Sequence, residues 1–123
     1  PTDYHAIPSA VFTRPQIASV GMTVEEAKEN YDDVLVGKNE YKATAKGYAM
    51  GERDGFCKLI IEGNEGKILG AHIVGPHAPI LIQEIINLMY AGDQSVDPLY
   101  DAMHIHPALS EVVGWALGEL EKV

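Results

Sequence analysis

The residues best suited to chemistry lie together in His104-Ile105-His106-Pro107-Ala108-Leu109-Ser110-Glu111. An imidazole stands just before a stretch with helical spacing, and a carboxylate falls in the opening turns of that stretch. A side chain near the start of a helix can reach back over the preceding loop. There, Glu111 can accept from one ring nitrogen of His106, fix its tautomer, and leave the other nitrogen to exchange a proton with a substrate. The same spacing also suits a plain helix entry, with His106 at the surface and Glu111 as a solvated charge near the helix's positive end. Spacing alone leaves both readings open.

Other chemistries have weaker support. His104 and His106 are two apart and share a face if extended, with His72 and His77 as conceivable neighbours. No carboxylate or Cys stands at a recognised ligand spacing, so no metal site is expected. The only cysteine, Cys57, lies in an apolar run and reads as a small buried hydrophobe, with no partner for a disulfide or a dithiol pair. Gly63, Gly66, Gly70 and Gly75 do not form a phosphate-binding loop between strand and helix. No nucleotide cradle is therefore expected within the chain itself.

The elements that must position His106 and Glu111 follow from periodicity. Apolar or β-branched runs at Val11 to Thr13, Ile17 to Val20, Val34 to Tyr41, Phe56 to Glu62 and Ile68 to Val74 predict strands. Gly63-Asn64-Glu65-Gly66 predicts a tight reversal joining the last two. Thr23 with Glu26 three residues later is a capping-box pattern opening a short helix over Val24 to Asn30. From Pro79 the period becomes helical. Leu81, Ile82, Ile85, Ile86, Leu88 and Met89 leave a narrow polar strip of Gln83, Glu84 and Asn87, which predicts a helix covered by a sheet on one side and another subunit on the other. Val96 to Ala102 reads as a weaker helix with Pro98 in its first turn. Leu109, Val112, Val113, Ala116, Leu117 and Leu120 predict a last helix opened by Pro107. The fold class is α+β: an antiparallel β-sheet packed against α-helices.

The 123 residues, 46% hydrophobic, suffice for one core, and no linker or repeat divides them. A net charge of −9 repels polyanions, so neither nucleic acid nor anionic membrane is expected as a partner. No apolar run approaches the ~20 residues of a bilayer span. The opening Pro1-Thr2-Asp3-Tyr4-His5 has neither an initiator Met nor signal-peptide character, so a soluble fragment of a longer protein is expected, and the lone Cys57 favours a reducing, cytoplasmic compartment.

Three ordered segments resemble one family. His106-Pro107-Ala108-Leu109-Ser110-Glu111 resembles the His-Pro-Thr-x-Ser-Glu signature of the dihydrolipoamide dehydrogenases and their relatives among the FAD-dependent pyridine nucleotide-disulfide oxidoreductases. Val11-Phe12-Thr13-Arg14-Pro15-Gln16-Ile17-Ala18-Ser19-Val20-Gly21 is similar to the opening strand of their C-terminal dimerisation domain, and Leu69-Gly70-Ala71-His72-Ile73-Val74-Gly75-Pro76 to a later strand. The resemblance implies that residues 1–123 form a single dimerisation domain, inactive alone, within an enzyme that uses FAD and NAD(P) held by upstream domains of the same chain. It also implies a homodimer in which His106 serves as acid-base catalyst at the partner's redox-active disulfide, Glu111 orients it, and the His106–Pro107 backbone approaches the partner's FAD. The implied substrate is a lipoyl group or a small disulfide or dithiol. Ala108 departs from the usual Thr and matches mycothiol-disulfide-reductase-like members. The cysteine pair of mercuric reductases is missing. A stand-alone dimerisation or scaffolding module with the same fold is the alternative.

Overall fold

The computed structural model describes all 123 residues. Its centre is a six-stranded sheet in the order β1-β2-β5-β4-β3-β6, with every neighbouring pair antiparallel. The strands are β1 Ser9–Val11, β2 Ile17–Gly21, β3 Val34–Glu40, β4 Phe56–Glu62, β5 Ile68–Val74 and β6 Glu121–Lys122. The expected α+β architecture is the observed one.

The central strand β4 is apolar almost throughout because both faces of the sheet are covered. Cys57, Leu59 and Ile61 point with Ala71 and Ile73 into the main core, while Ile60 and Leu69 join Ala27 and Val34 on the opposite face. On that second face lies α1, Val24–Asn30, and its predicted capping box is formed. The Glu26 amide donates to Thr23 Oγ1, and the Thr23 amide donates to Glu26.

Glu62 ends β4 by accepting from the amides of Asn64 and Glu65, which holds the β4–β5 reversal where it was expected. Those bonds hold the Glu62 carboxyl below its usual range.

The main core is closed by α3, Ala78–Leu81, and α4, Gln83–Met89, which meet at Ile82. The single predicted helix is thus observed as two short helices, with Ile82 between them still in the right-handed helical region. Short helices α2, Ala45–Ala49, and α5, Asp97–Asp101, flank the sheet, the latter with Pro98 in its first turn as predicted. The turn and short helix over 41–49 have no apolar periodicity to mark them. Tyr41 leaves the sheet there, sinks its ring into the core and donates its hydroxyl to the Pro76 carbonyl at 2.8 Å.

Two expectations need correction. The first strand spans Ser9–Val11, not Val11 to Thr13. Val11 already pairs with Ile17, and the reversal uses Phe12 and Thr13, with the Thr13 hydroxyl donating to the Pro15 carbonyl. The last helix is also shorter than its periodicity suggests. The α-helical part, α6, is Glu111–Gly114, followed by a 3₁₀ segment Trp115–Glu119, and Pro107 lies ahead of the helix. Residues 108–113 are closed by three-residue bonds from the amides of Glu111, Val112 and Val113 to Ala108, Leu109 and Ser110. Such turns also place i and i+3 on one side. Val112, Val113, Ala116 and Leu117 are therefore buried as the pattern demands without one continuous helix. Beyond them the chain becomes β6, which pairs with β3.

The thiol of Cys57 is fully buried, and burial, assisted by the charge of Glu84, pushes it up to about 12. A group so raised is neutral at physiological pH, and the thiolate is the nucleophile. Iodoacetamide is expected to leave Cys57 unmodified in the native protein at pH 8 and to alkylate it in guanidinium chloride. Mass spectrometry reads the difference, and stoichiometric native labelling would contradict the buried placement.

Candidate functional site

The loop 102–110 carries His106 between α5 and α6. Its far end is fixed to the sheet by two contacts. The Asn39 side chain on β3 donates to the Val112 carbonyl at 3.3 Å while itself buried. Gly37 on the same strand lets the 3₁₀ segment lie directly on the sheet, for a Cβ there would sit 2.1 Å from the Ala116 carbonyl oxygen. Helix α6 is thereby seated with Glu111 in its first turn, pointing back over the loop.

His106 Nδ1 lies 2.9 and 3.0 Å from the two Glu111 carboxylate oxygens, and the Ala108 amide donates to Glu111 Oε1 at 3.1 Å. The Glu111 side chain is 5% exposed and the His106 side chain 62% exposed. A buried, doubly bonded carboxylate holds one edge of an imidazole whose body faces outward. The carboxylate is the acceptor, so Nδ1 carries the proton and donates it into the hydrogen bond. Nε2 has no partner within the chain and points its lone pair outward. The His106–Pro107 peptide is cis, and the His106 carbonyl accepts no hydrogen bond within the chain. Of the two arrangements their spacing allowed, the one in which His106 pairs with Glu111 is present, and Pro107 lies in the loop beside it.

The surroundings are unusual for a protein surface. Met103 and Ile105 stand largely exposed within the loop and Tyr100 just before it, and Trp115, just after α6, is half exposed. Large apolar side chains exposed together around an outward-facing imidazole have the composition of an interaction surface.

His104, His72 and His77 are not gathered with His106. His72 lies on β5 with Nε2 3.1 Å from the Met22 carbonyl, and exposed His77 caps α3 in a left-handed conformation. No group of three or more His, Cys, Asp or Glu side chains could hold a metal ion. His104 instead reaches Glu84 on α4, with Nε2 3.3 Å from Glu84 Oε1. Sequence reasoning missed this contact and that of Asn39. Glu84 carried one signal, an acid on the polar strip of a nearly covered helix. Asn39 carried none, since a lone Asn in a strand has no spacing that announces a carbonyl partner on a distant helix. No helix is long and apolar enough to cross a membrane.

Against known proteins, residues 7–117 match the family described as pyridine nucleotide-disulphide oxidoreductase, dimerisation domain. The chain is 42% identical over 114 residues to the dihydrolipoyl dehydrogenase of Chlamydia muridarum, covering 93% of the chain and 24% of that protein. It is 44% identical over 116 residues to the mycothione reductase of Mycobacterium tuberculosis, covering 94% and 25%. Among solved structures, LpdA of Mycobacterium tuberculosis superposes with a TM-score of 0.83 at 25% identity, over 94% of this chain and 25% of that one. The HOCl-induced flavoprotein disulfide reductase RclA of Escherichia coli superposes with a TM-score of 0.82 at 27% identity, over 94% and 26%. The chain spans about a quarter of the length of the curated relatives it matches.

Proposed function

The chain belongs to the dimerisation-domain family of the pyridine nucleotide-disulphide oxidoreductases, and we propose that residues 1–123 serve as the single C-terminal dimerisation domain of a longer FAD- and NAD(P)-dependent enzyme of the dihydrolipoamide dehydrogenase type. In this reading the enzyme is a homodimer, and His106 of one subunit completes the site held by the upstream domains of the other. The observation that carries it is the half-built site: Nδ1 of His106 pinned by buried Glu111, Nε2 facing outward, and exposed apolar side chains around it.

The geometry of these residues suits the chemistry of such an enzyme. Nε2 accepts the proton of a substrate thiol as that thiol becomes the thiolate that attacks the partner subunit's disulfide, and returns it to the thiolate released as the old S–S bond breaks and the mixed disulfide forms. Glu111 keeps the tautomer that leaves Nε2 unprotonated at the start and stays opposite the cation once Nε2 is protonated. The exposed His106–Pro107 backbone, with its unpaired carbonyl, fits an edge that meets a flavin from the partner subunit. When bound, the flavin passes electrons between a nicotinamide and the disulfide.

A lipoyl dithiol is the first substrate reading. A low-molecular-weight disulfide of the mycothiol type is the second, supported by the 44% identity to a mycothione reductase and by Ala108 in place of Thr. A cytoplasmic setting suits the lone free thiol of Cys57.

The visible spectrum of the full-length protein tests the proposal. Oxidised flavin bands are expected, followed under anaerobic NADH or NADPH by a long-wavelength thiolate-to-flavin band. A colourless protein that cannot be reconstituted with FAD would make the chain a dimerisation module without chemistry.

A further inference from the structure

We propose that His104 is a positioning residue for His106, clamping the loop that carries it to helix α4 through Glu84. This inference rests on the catalytic reading of His106 given above.

His104 is placed as a clamp rather than as a surface residue. Its side chain is 20% exposed although it sits two residues from the outward-facing His106. Nδ1 lies 3.1 Å from the Ala102 carbonyl within the loop, and Nε2 3.3 Å from Glu84 Oε1 across to α4. The ring also lies against Gly114 of α6, where an added Cβ would be 3.5 Å from its Cε1 and Nε2. One imidazole thus touches the loop, α4 and α6.

The consequence concerns aim. Glu111 holds His106 from the α6 side, where the carboxylate fixes Nδ1. From that side residues 102–105 meet only Gly114, beside the His104 ring, and the neighbouring Met103 and Ile105 are largely exposed and contribute little packing within the chain. The contact of His104 with Glu84 is the side-chain bond that ties this half of the loop to the body of the protein. Helix α4 buries Ile85, Ile86 and Met89 in the main core, so Glu84 stands on a rigid base. Glu84 and Glu111 thus hold the loop at His104 and at His106, and loss of the first lets the His106 ring swing while the His106–Glu111 pair remains.

The test compares two ways of reducing the flavin in the full-length enzyme. Dithiothreitol delivers electrons through the disulfide and needs the proton carrier, whereas sodium dithionite reduces the flavin without one. His104→Ala and Glu84→Ala are each expected to slow anaerobic reduction by dithiothreitol by ~10- to 100-fold, the scale of misplacing a reacting group by about an ångström. Reduction by dithionite is expected to be unchanged. The double variant is expected to be no slower than either single one, because both remove the same contact. His104→Gln, which keeps a donor near the position of Nε2, is expected to recover most of the rate.

Normal dithiothreitol rates in the alanine variants, or losses that multiply in the double variant, overturn the clamp. Glu84 is partly exposed, so Glu84→Ala reads the contact even if His104→Ala disturbs folding. His106→Gln run in parallel separates the two ideas. A slow His106→Gln beside normal alanine variants defeats the clamp alone, and a normal His106→Gln defeats the catalytic reading beneath it.

Discussion

His106→Gln in the full-length enzyme is expected to lower turnover by about 10²- to 10⁴-fold, the range for loss of a general acid-base group, which corresponds to about 2.7–5.5 kcal/mol of transition-state stabilisation. The substitution should cost little stability, because the His106 side chain is 62% exposed and its only side-chain partner is Glu111. Glu111→Ala makes the complementary case. It leaves His106 in place but removes the acceptor for both Nδ1 and the Ala108 amide, inside a pocket where Glu111 is 5% exposed. A lost buried acceptor costs about 1–3 kcal/mol, so this variant should lose thermal stability as well as activity. Steady-state turnover with NADH and lipoamide, paired with thermal unfolding, distinguishes the two. Near-normal turnover of His106→Gln would sink the catalytic assignment, whatever the fold.

Ile85→Asp is expected to abolish folding of the domain rather than to dissociate a folded dimer. The apolar 80–89 stretch suggests from sequence that Ile85 and Ile86 face a second subunit. The structure puts them elsewhere. Ile85 is 0% and Ile86 9% exposed within one protomer, both in the main core against the sheet. Exchanging a buried Ile for an unpaired carboxylate loses ~2–5 kcal/mol of packing and adds a desolvated charge without a partner. Together these approach the ~5–15 kcal/mol that holds a whole domain folded.

The residue that projects outward from this region is Ile80, which is 71% exposed. Ile80→Asp should therefore fold normally and, if this face meets the partner subunit, shift the enzyme toward monomers. Light scattering and circular dichroism on both variants check the assignment. A folded, monomeric Ile85→Asp protein would restore the reading from sequence, and a fully dimeric Ile80→Asp protein would remove Ile80 from the interface.

Ile85 illustrates how far periodicity reaches. It identified a buried helix face correctly, because a 3.6-residue repeat of apolar side chains has to be removed from water. It could not say whether the sheet or another chain does the covering, since both present the same apolar surface. The strands Phe56–Glu62 and Ile68–Val74, their reversal and the capped helix after Thr23 were legible for the same local reason. Each is encoded by residues adjacent in sequence: an alternating or apolar run marks the strands, and the cap and the reversal close their hydrogen bonds over two or three positions. The pairing of His106 with Glu111 belongs with them, five residues apart and joined by the turn they share.

What only the tertiary structure decided joins distant positions. Tyr41 donates to Pro76, Asn39 to Val112, and His104 reaches Glu84, over separations of 35, 73 and 20 residues. The shortened last helix has the same origin. Its apolar pattern is equally satisfied by α and 3₁₀ turns, and what selects the turn is the sheet it lies on. Gly37 lets the Ala116 carbonyl come close, and β3 draws Glu121 and Lys122 into a sixth strand. Sequence therefore brought His106 within reach of Glu111 and marked which faces are buried, because both depend on local spacing. The direction in which His106 faces was left to contacts with strands and helices far away along the chain.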